Sequence, residues 1–238
     1  MSRNGKYALI SGVLLIIFLS GCSPKVNPGD FNADEISLID SAFSRTEQGA
    51  EDAAGFPAGT MRVLTINNPA DNAVLRAPSF DLSPEALLSD EYDKLCSLMI
   101  ATVTHPSQDG VGIAGPQVGL NRRIVAVQRF DKEPVEWGEK TDHPFEIYPN
   151  VQIVWSSDSL SYGPEGCLSV PDRRGEVLRS QEIVIEYADM NELKKSMNSG
   201  SLKNGLTPTR RDTVRGFTAV IFQHEIDHLD GVLYIDRL

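Results

Sequence analysis

Cysteine is scarce, at 3 in 238 residues, which excludes a small scaffold stapled by disulfides. Positive charge is also in short supply: 22 Lys and Arg against 33 Asp and Glu leave a formal net charge of −11. Such a chain lacks the field that neutralises phosphates, and no local basic patch makes up for it, so nucleic acid is not expected as a partner. No apolar run reaches the about 20 residues that a helix needs to cross a bilayer. The longest, Ala8 to Leu19, has 12. No internal repeat is visible. What remains is an ordinary globular composition, 41% hydrophobic and 23% charged, too apolar for disorder and long enough for one domain or two small ones.

The first residues read as an address. Arg3 and Lys6 form a short basic flank, the apolar run follows, and Leu19-Ser20-Gly21-Cys22 closes it with small residues before a cysteine. A short buried helix is the competing reading, and the coincidence of basic flank and cysteine stop disfavours it. The ending resembles the bacterial lipobox. That resemblance implies cleavage before Cys22, lipid on the new N-terminal cysteine, and a domain held at a membrane surface outside the cytoplasm. Residues 1–21 are then a lipoprotein signal peptide. Residues 22–60, rich in Gly, Pro, Asp, Glu, Asn and Ser, are expected to be a lipidated N-terminus and acidic, solvated tether. A helical turn or two is expected to interrupt the tether, with Asn32 as cap, Glu35 at its third position, and Ile36, Ile39 and Phe43 on one face.

Residues 61–238 carry the globular pattern. Ser83-Pro84-Glu85 suits a helix start, and Leu88, Tyr92, Leu95, Met99 and Val103 recur at helical spacing until His105-Pro106 stops the run. Cys96, beside this stripe, reads as a core thiol. β-rich runs at Arg123–Gln128, Glu146–Trp155 and Glu182–Tyr187 follow, separated by polar stretches, Phe130–Pro144 and Asn191–Thr213, expected as surface loops. With a final helix from Gly216 to about Asp230, this is an α+β pattern.

Three segments concentrate chemistry. In His224-Glu225-Ile226-Asp227-His228, two imidazoles one helical turn apart suit capture of a transition metal, with Glu225 beside them as a general base. Ordinary helix histidines or a zinc protease would give the same pattern. In Glu165-Gly166-Cys167-Leu168-Ser169, a thiolate would complete a tetrahedral site and leave one position for water; a buried small thiol is the plain alternative. In the Gly110-Val111-Gly112-Ile113-Ala114-Gly115-Pro116-Gln117 loop, glycines permit close backbone approach to a ligand and Gln117 offers an amide N–H to a developing oxyanion. A phosphate cradle fails on context, since the required Lys and the dinucleotide spacing are missing. His105 and His143 each precede a proline and read as loop residues.

Together and in this order, the three segments resemble those of the peptide deformylase family: Gly-x-Gly-x-Ala-Ala-x-Gln, Glu-Gly-Cys-Leu-Ser and His-Glu-x-Asp-His. The second and third match without substitution, and Gly115 stands at the second alanine of the first. The resemblance covers about residues 61–238. It implies the family's fold, mixed and antiparallel sheets around a central metal-binding helix. It also implies one divalent ion per chain on Cys167, His224 and His228, ferrous iron above all, with zinc, nickel or cobalt tolerated. Glu225 becomes the general acid/base for attack by a water on that ion, and Gln117 and the Leu168 N–H steady the oxyanion. Glu165 and Arg179 become a buried ion pair that braces the cysteine segment. Gly110, Val111, Gly112 and Arg174 meet the substrate, and Phe217, Val220 and Ile221 with Val111 make the apolar pocket for a methionine side chain. The implied reaction releases formate from N-formyl-methionyl peptides or proteins. An exported peptidase or other deacylase, and a surface lipoprotein that keeps only the fold, are the rivals from other classes.

Overall fold

The computed structural model describes residues 27–48, 59–137, 140–202 and 206–238; the expected leader and Cys22 lie outside them. Four helices come first: α1 (Ala33–Gln48), α2 (Pro69–Leu75), α3 (Pro84–Leu87) and α4 (Asp90–Val103). Strands β1 (Gly112–Ala114) and β2 (Ile124–Gln128) flank a 3-10 turn at Gly115–Val118. The small hairpin β3 (Val135–Trp137) and β4 (Lys140–Asp142) precedes β5 (Phe145–Pro149) and β6 (Gln152–Ser156). Then come β7 (Leu160–Cys167), β8 (Val170–Ser180), β9 (Glu182–Ala188), α5 (Met190–Asn198), β10 (Thr209–Arg215) and α6 (Gly216–Leu229). Antiparallel pairing gives sheets in the orders β1-β2-β5 and β10-β9-β6, with β7 and β8 as a separate hairpin. No helix of the described residues is long and apolar enough to cross a membrane.

The site helix α6 lies at the centre because sheet periodicity supplies it with two apolar walls. β2 is buried at all five positions, and its pleat divides them by face. Val125 and Val127 join Ile183 and Ile185 of β9 and Phe222 and Ile226 of α6 in one cluster. Ile124 and Ala126 turn the other way, toward Leu95, Leu98 and Met99 of α4. The expected α+β architecture is thus present, with α6 inside it.

Several local expectations are corrected. The run after Ser83 is two helices, because Ser83 caps the first through Ala86 N–H (3.0 Å) and Ser89 caps a second through Tyr92 N–H (3.3 Å). The strand expected over Glu146–Trp155 is split between two sheets at Asn150, which takes a left-handed φ of 53°. The supposed loops at 130–144 and 191–213 contain the β3–β4 hairpin and most of α5 and β10, respectively. β10 escapes pattern reading because Val214 alone among its seven residues is buried; it is held by pairing with β9 and not by an apolar face.

The largest correction concerns the tether. Residues 27–48 are docked onto the domain: Ile39 and Ala42 are buried against the α4 side, with Phe31 beside them. The capping box at Asn32 forms as expected, with Glu35 Oε2 accepting from Asn32 N–H at 2.8 Å and Asn32 Oδ1 accepting from Glu35 N–H at 3.0 Å. The helix it starts runs for 16 residues. Glu35 also binds the buried guanidinium of Arg122, whose Nε and Nη2 donate to its two oxygens at 2.7 Å while Nη1 donates to the Pro28 carbonyl at 2.7 Å. A composition poor in aliphatics suggested solvation; a few apolar side chains, Phe31, Ile39 and Ala42 above all, and one buried arginine reverse it.

Candidate active site

The site forms where α6, the β7–β8 hairpin and the glycine loop meet. Helix spacing brings the rings of His224 and His228 to 5.1 Å, nearly perpendicular at 73°. β7 ends at Cys167, whose Sγ lies 3.2 Å from His228 Nε2. One donor atom from each of the three residues falls within 4.8 Å of the others, as suits a single ion. This is the one such cluster of three or more metal-ligating side chains among the described residues. His105 and His143 are elsewhere, on Ser107 and on the Lys132 carbonyl.

The donor set fits a divalent ion on a further observation. Glu165 Oε2 meets His224 Nδ1 at 2.8 Å and so leaves the other ring nitrogen for the ion. Glu165 is itself clamped by Arg179, at 2.7 Å from Nε and 3.0 Å from Nη2, both residues being buried. Burial alone would raise the Glu165 carboxyl, but the His224 and Arg179 hydrogen bonds outweigh it and hold the pKa down at about 2. For His224, burial acts against the charge, and the Cys167 and Glu165 interactions raise it to about 10. His228, fully buried and facing the His224 charge, is driven well below the ordinary imidazole range.

Sequence reasoning did not assign Asp227, Tyr234 or Ser169. Asp227 takes the other side of Arg179 at 2.6 Å and also pairs with Arg237, so the Glu165–Arg179 brace is tied to α6 and to the chain end. It stands inside the His-Glu-x-Asp-His motif, which was the available signal. Tyr234 stacks on His224 at 6.0 Å and 22°, a contact that nothing local announces. Ser169 donates its backbone N–H to Cys167 Sγ at 3.4 Å and accepts from Gln117 at Oγ.

Glu225 projects into the same cavity. It is buried, its Oε2 has no hydrogen-bond partner among the described residues, and burial pushes its pKa up to about 7 despite the opposing charge of His224. Gly112 lies against it. Gln117 is fixed by its own carbonyl, which accepts from Ala114 N–H at 2.8 Å, so that Nε2 points at Ser169 Oγ (3.3 Å) and Cys167 Sγ (3.6 Å). Leu168 occupies the two-residue turn between β7 and β8, at the lip of the cleft. The cleft has a volume of about 850 Å³. Gly110, Val111, Gly112, Arg174, Val220 and Ile221 line it. Phe217 also lines it, but at the rim: it is 55% exposed and packs on Phe130 at 5.2 Å. Every expected site residue except Cys22 therefore borders one cavity or its metal-ligating floor. A buried carboxylate with a free oxygen near neutral pKa, an aimed amide donor and a three-ligand centre can together hydrolyse an amide.

Comparison with known proteins agrees. The family model described as Polypeptide deformylase matches residues 61–238. A peptide deformylase of Leptospira biflexa serovar Patoc is 33% identical over 177 residues, covering 74% of this chain and 87% of the relative. Peptide deformylase 2 of Gloeobacter violaceus is 38% identical over 175 residues, 74% and 79% of the two chains. Among solved structures, the Met-Ala-Ser-bound class I type b peptide deformylase of Acinetobacter baumannii superposes with a TM-score of 0.58 at 27% identity, covering 75% of this chain and 98% of that one. The Thermotoga maritima enzyme gives 0.56 at 27% identity, with 75% and 97% covered.

Proposed function

The chain belongs to the peptide deformylase family, and we propose that it removes the formyl group from N-formyl-methionyl peptides or proteins at the Cys167–His224–His228 centre, using ferrous iron, outside the cytoplasm. The observation that carries the chemistry is the unpartnered Oε2 of buried Glu225 beside that centre. A divalent ion held by Cys167, His224 and His228 would supply Lewis acidity and make water a stronger nucleophile near neutral pH. Glu225, poised near pKa 7, takes the proton of the attacking water and returns it to the leaving amine. Gln117 Nε2 and the Leu168 N–H donate to the oxygen on which charge grows. The apolar side chains Val111, Val220 and Ile221, with Phe217 at the rim, receive the methionine side chain and displace bulk water from around it. Arg179 and Glu165 hold His224 in orientation throughout.

The choice of ferrous iron rests on the family; a Cys and two His ligands accept several divalent ions. The extracytoplasmic, membrane-anchored location rests on the basic flank, apolar run and Leu-Ser-Gly-Cys ending. With residues 27–48 docked, the leash from Cys22 to Asn27 is five residue steps and reaches at most about 18 Å. A lipidated Cys22 thus holds the catalytic domain close to the bilayer.

The test is formate release from formyl-Met-Ala-Ser by the full chain, purified in detergent under anaerobic conditions with ferrous iron, beside Glu225→Ala. Release that the variant loses by about 100-fold or more supports the reading. Cleavage of unformylated peptides at an internal bond overturns it in favour of a peptidase. Fractionation and the mass of the N-terminal peptide test the location: a cytosolic chain that retains residues 1–21 overturns it.

A further inference from the structure

Most of the arginines described in this acidic chain are paired with carboxylates. Arg62 holds Asp71, Arg123 holds Asp230, and even the exposed Arg211 and Arg215 bind Glu186 and Glu182 at 2.7 Å. Of the rest, Arg45 donates to backbone carbonyls and Arg210 lies over the Tyr187 ring. Arg173 and Arg174 differ: they are adjacent, exposed, border the reaction cleft, and have no carboxylate within 4.0 Å among the described residues. Asp109 and Asp172 border the same cleft, yet neither reaches either guanidinium.

Their placement follows from a break in the hairpin. Gly166 pairs with Arg174, but the next residue, Cys167, pairs with Val170, so Pro171, Asp172 and Arg173 bulge out of β8. Asp172 takes a left-handed φ of 61° within that bulge. Bulges of this kind re-aim side chains beside active sites. Here the stem of Arg174 crosses Gly166, with its Cγ 3.6 Å from where a β-carbon would stand, one residue from the metal ligand Cys167. A concave, partly apolar site focuses the field of two such cations. A guanidinium left unpaired in a chain with an excess of carboxylates is suited to an anion that arrives with the substrate, and its planar fork matches a carboxylate.

We propose that Arg173, acting with Arg174, makes this cleft selective for formylated peptides that carry a carboxylate beyond the methionine. The inference rests on the deformylase reading and specifies its substrate class. The carboxylate can come from an acidic side chain or from the free C-terminus of a short peptide.

The experiment compares kcat/KM of the ferrous full-length protein for formyl-Met-Ala-Ser as free acid, its C-terminal amide, formyl-Met-Ala-Asp-amide and formyl-Met-Ala-Lys-amide, at 50 and 500 mM salt. The free acid is expected to exceed its amide by about fivefold at low salt, with the advantage shrinking at high salt. Arg173→Gln is expected to bring the acid-to-amide ratio near one, and Arg173→Glu to favour the Lys peptide. An Asp-amide that matches the free acid identifies an acidic side chain as the source; a free acid that stands alone identifies the short peptide's C-terminus. Equal kcat/KM for all four overturns the proposal while leaving deformylation intact. Binding of the same peptides to Glu225→Ala reads the preference without turnover: tighter binding of the acids supports it even if no formate is released, and equal binding overturns it.

Discussion

Gly112 and Glu225 are in contact such that a β-carbon at position 112 would stand 2.5 Å from Glu225 Oε1 and 2.9 Å from its Cγ and Cδ. The glycine belongs to β1 and the carboxylate to α6, so the edge of one sheet fixes where the general base can lie. Close backbone approach, not backbone flexibility, is what this glycine provides; its φ is not in the left-handed region.

Gly112→Ala must therefore displace Glu225, since the contact lies with the head of a buried side chain. We expect kcat to fall by about 100-fold or more, the scale of losing a positioned acid/base, with metal content unchanged. Steady-state kinetics with metal analysis checks this. Retention of full kcat would show that Glu225 can shift without cost to the reaction.

Glu165 links the site to pH. Its folded pKa is about 2, below the roughly 4.3 of an unfolded glutamate, so the sign is that of a depressed carboxylate. Its contribution, up to about 3 kcal/mol, is present in full above the unfolded value and is lost as pH falls from about 5 toward 2. Denaturation of the metal-stripped protein across that window is expected to lose stability steeply, and Glu165→Gln is expected to flatten the slope. An unchanged slope in the variant would assign the acid sensitivity to other carboxylates.

The docked N-terminal helix makes a prediction that a solvated tether would not. Ile39 is fully buried, so Ile39→Ala is expected to destabilise the protein by about 2–4 kcal/mol. Arg122→Met, which strands the partly buried Glu35 and the Pro28 carbonyl, is expected to cost about 3 kcal/mol. Urea unfolding monitored with unchanged m-values measures both. Values near zero for both variants would return residues 27–48 to the status of a leash.

Removing the ion should lower thermal stability as well as activity, because the ligands come from two elements, β7 and α6, that the ion ties together. An ion present at about a thousand times its dissociation constant stabilises by about 4 kcal/mol. Chelation is thus expected to depress the melting temperature, readdition of a divalent ion to restore it, and His228→Ala to abolish the response to chelator. Calorimetry with and without chelator reads the effect.

The sequence by itself determined the three motifs and the helix that carries two ligands, because those relationships are local: one helical turn separates His224 from His228, and five consecutive residues contain Glu165, Cys167 and Leu168. It also determined the α+β class and the buried strand β2, whose apolar run has no other use. Tertiary structure decided the rest. β10 is mostly polar and exposed, and the β7–β8 hairpin shows no regular apolar alternation, so pairing with a partner strand, which no periodicity encodes, makes them strands. The Asp227–Arg179–Glu165 chain, Tyr234 against His224, and the docking of α1 through Arg122 join residues that are far apart in the chain or show no pattern. Local spacing fixes which side chains share a helix face; only folding fixes which buried charge meets its partner, and here that meeting holds the ligands in place and makes the N-terminal helix part of the domain.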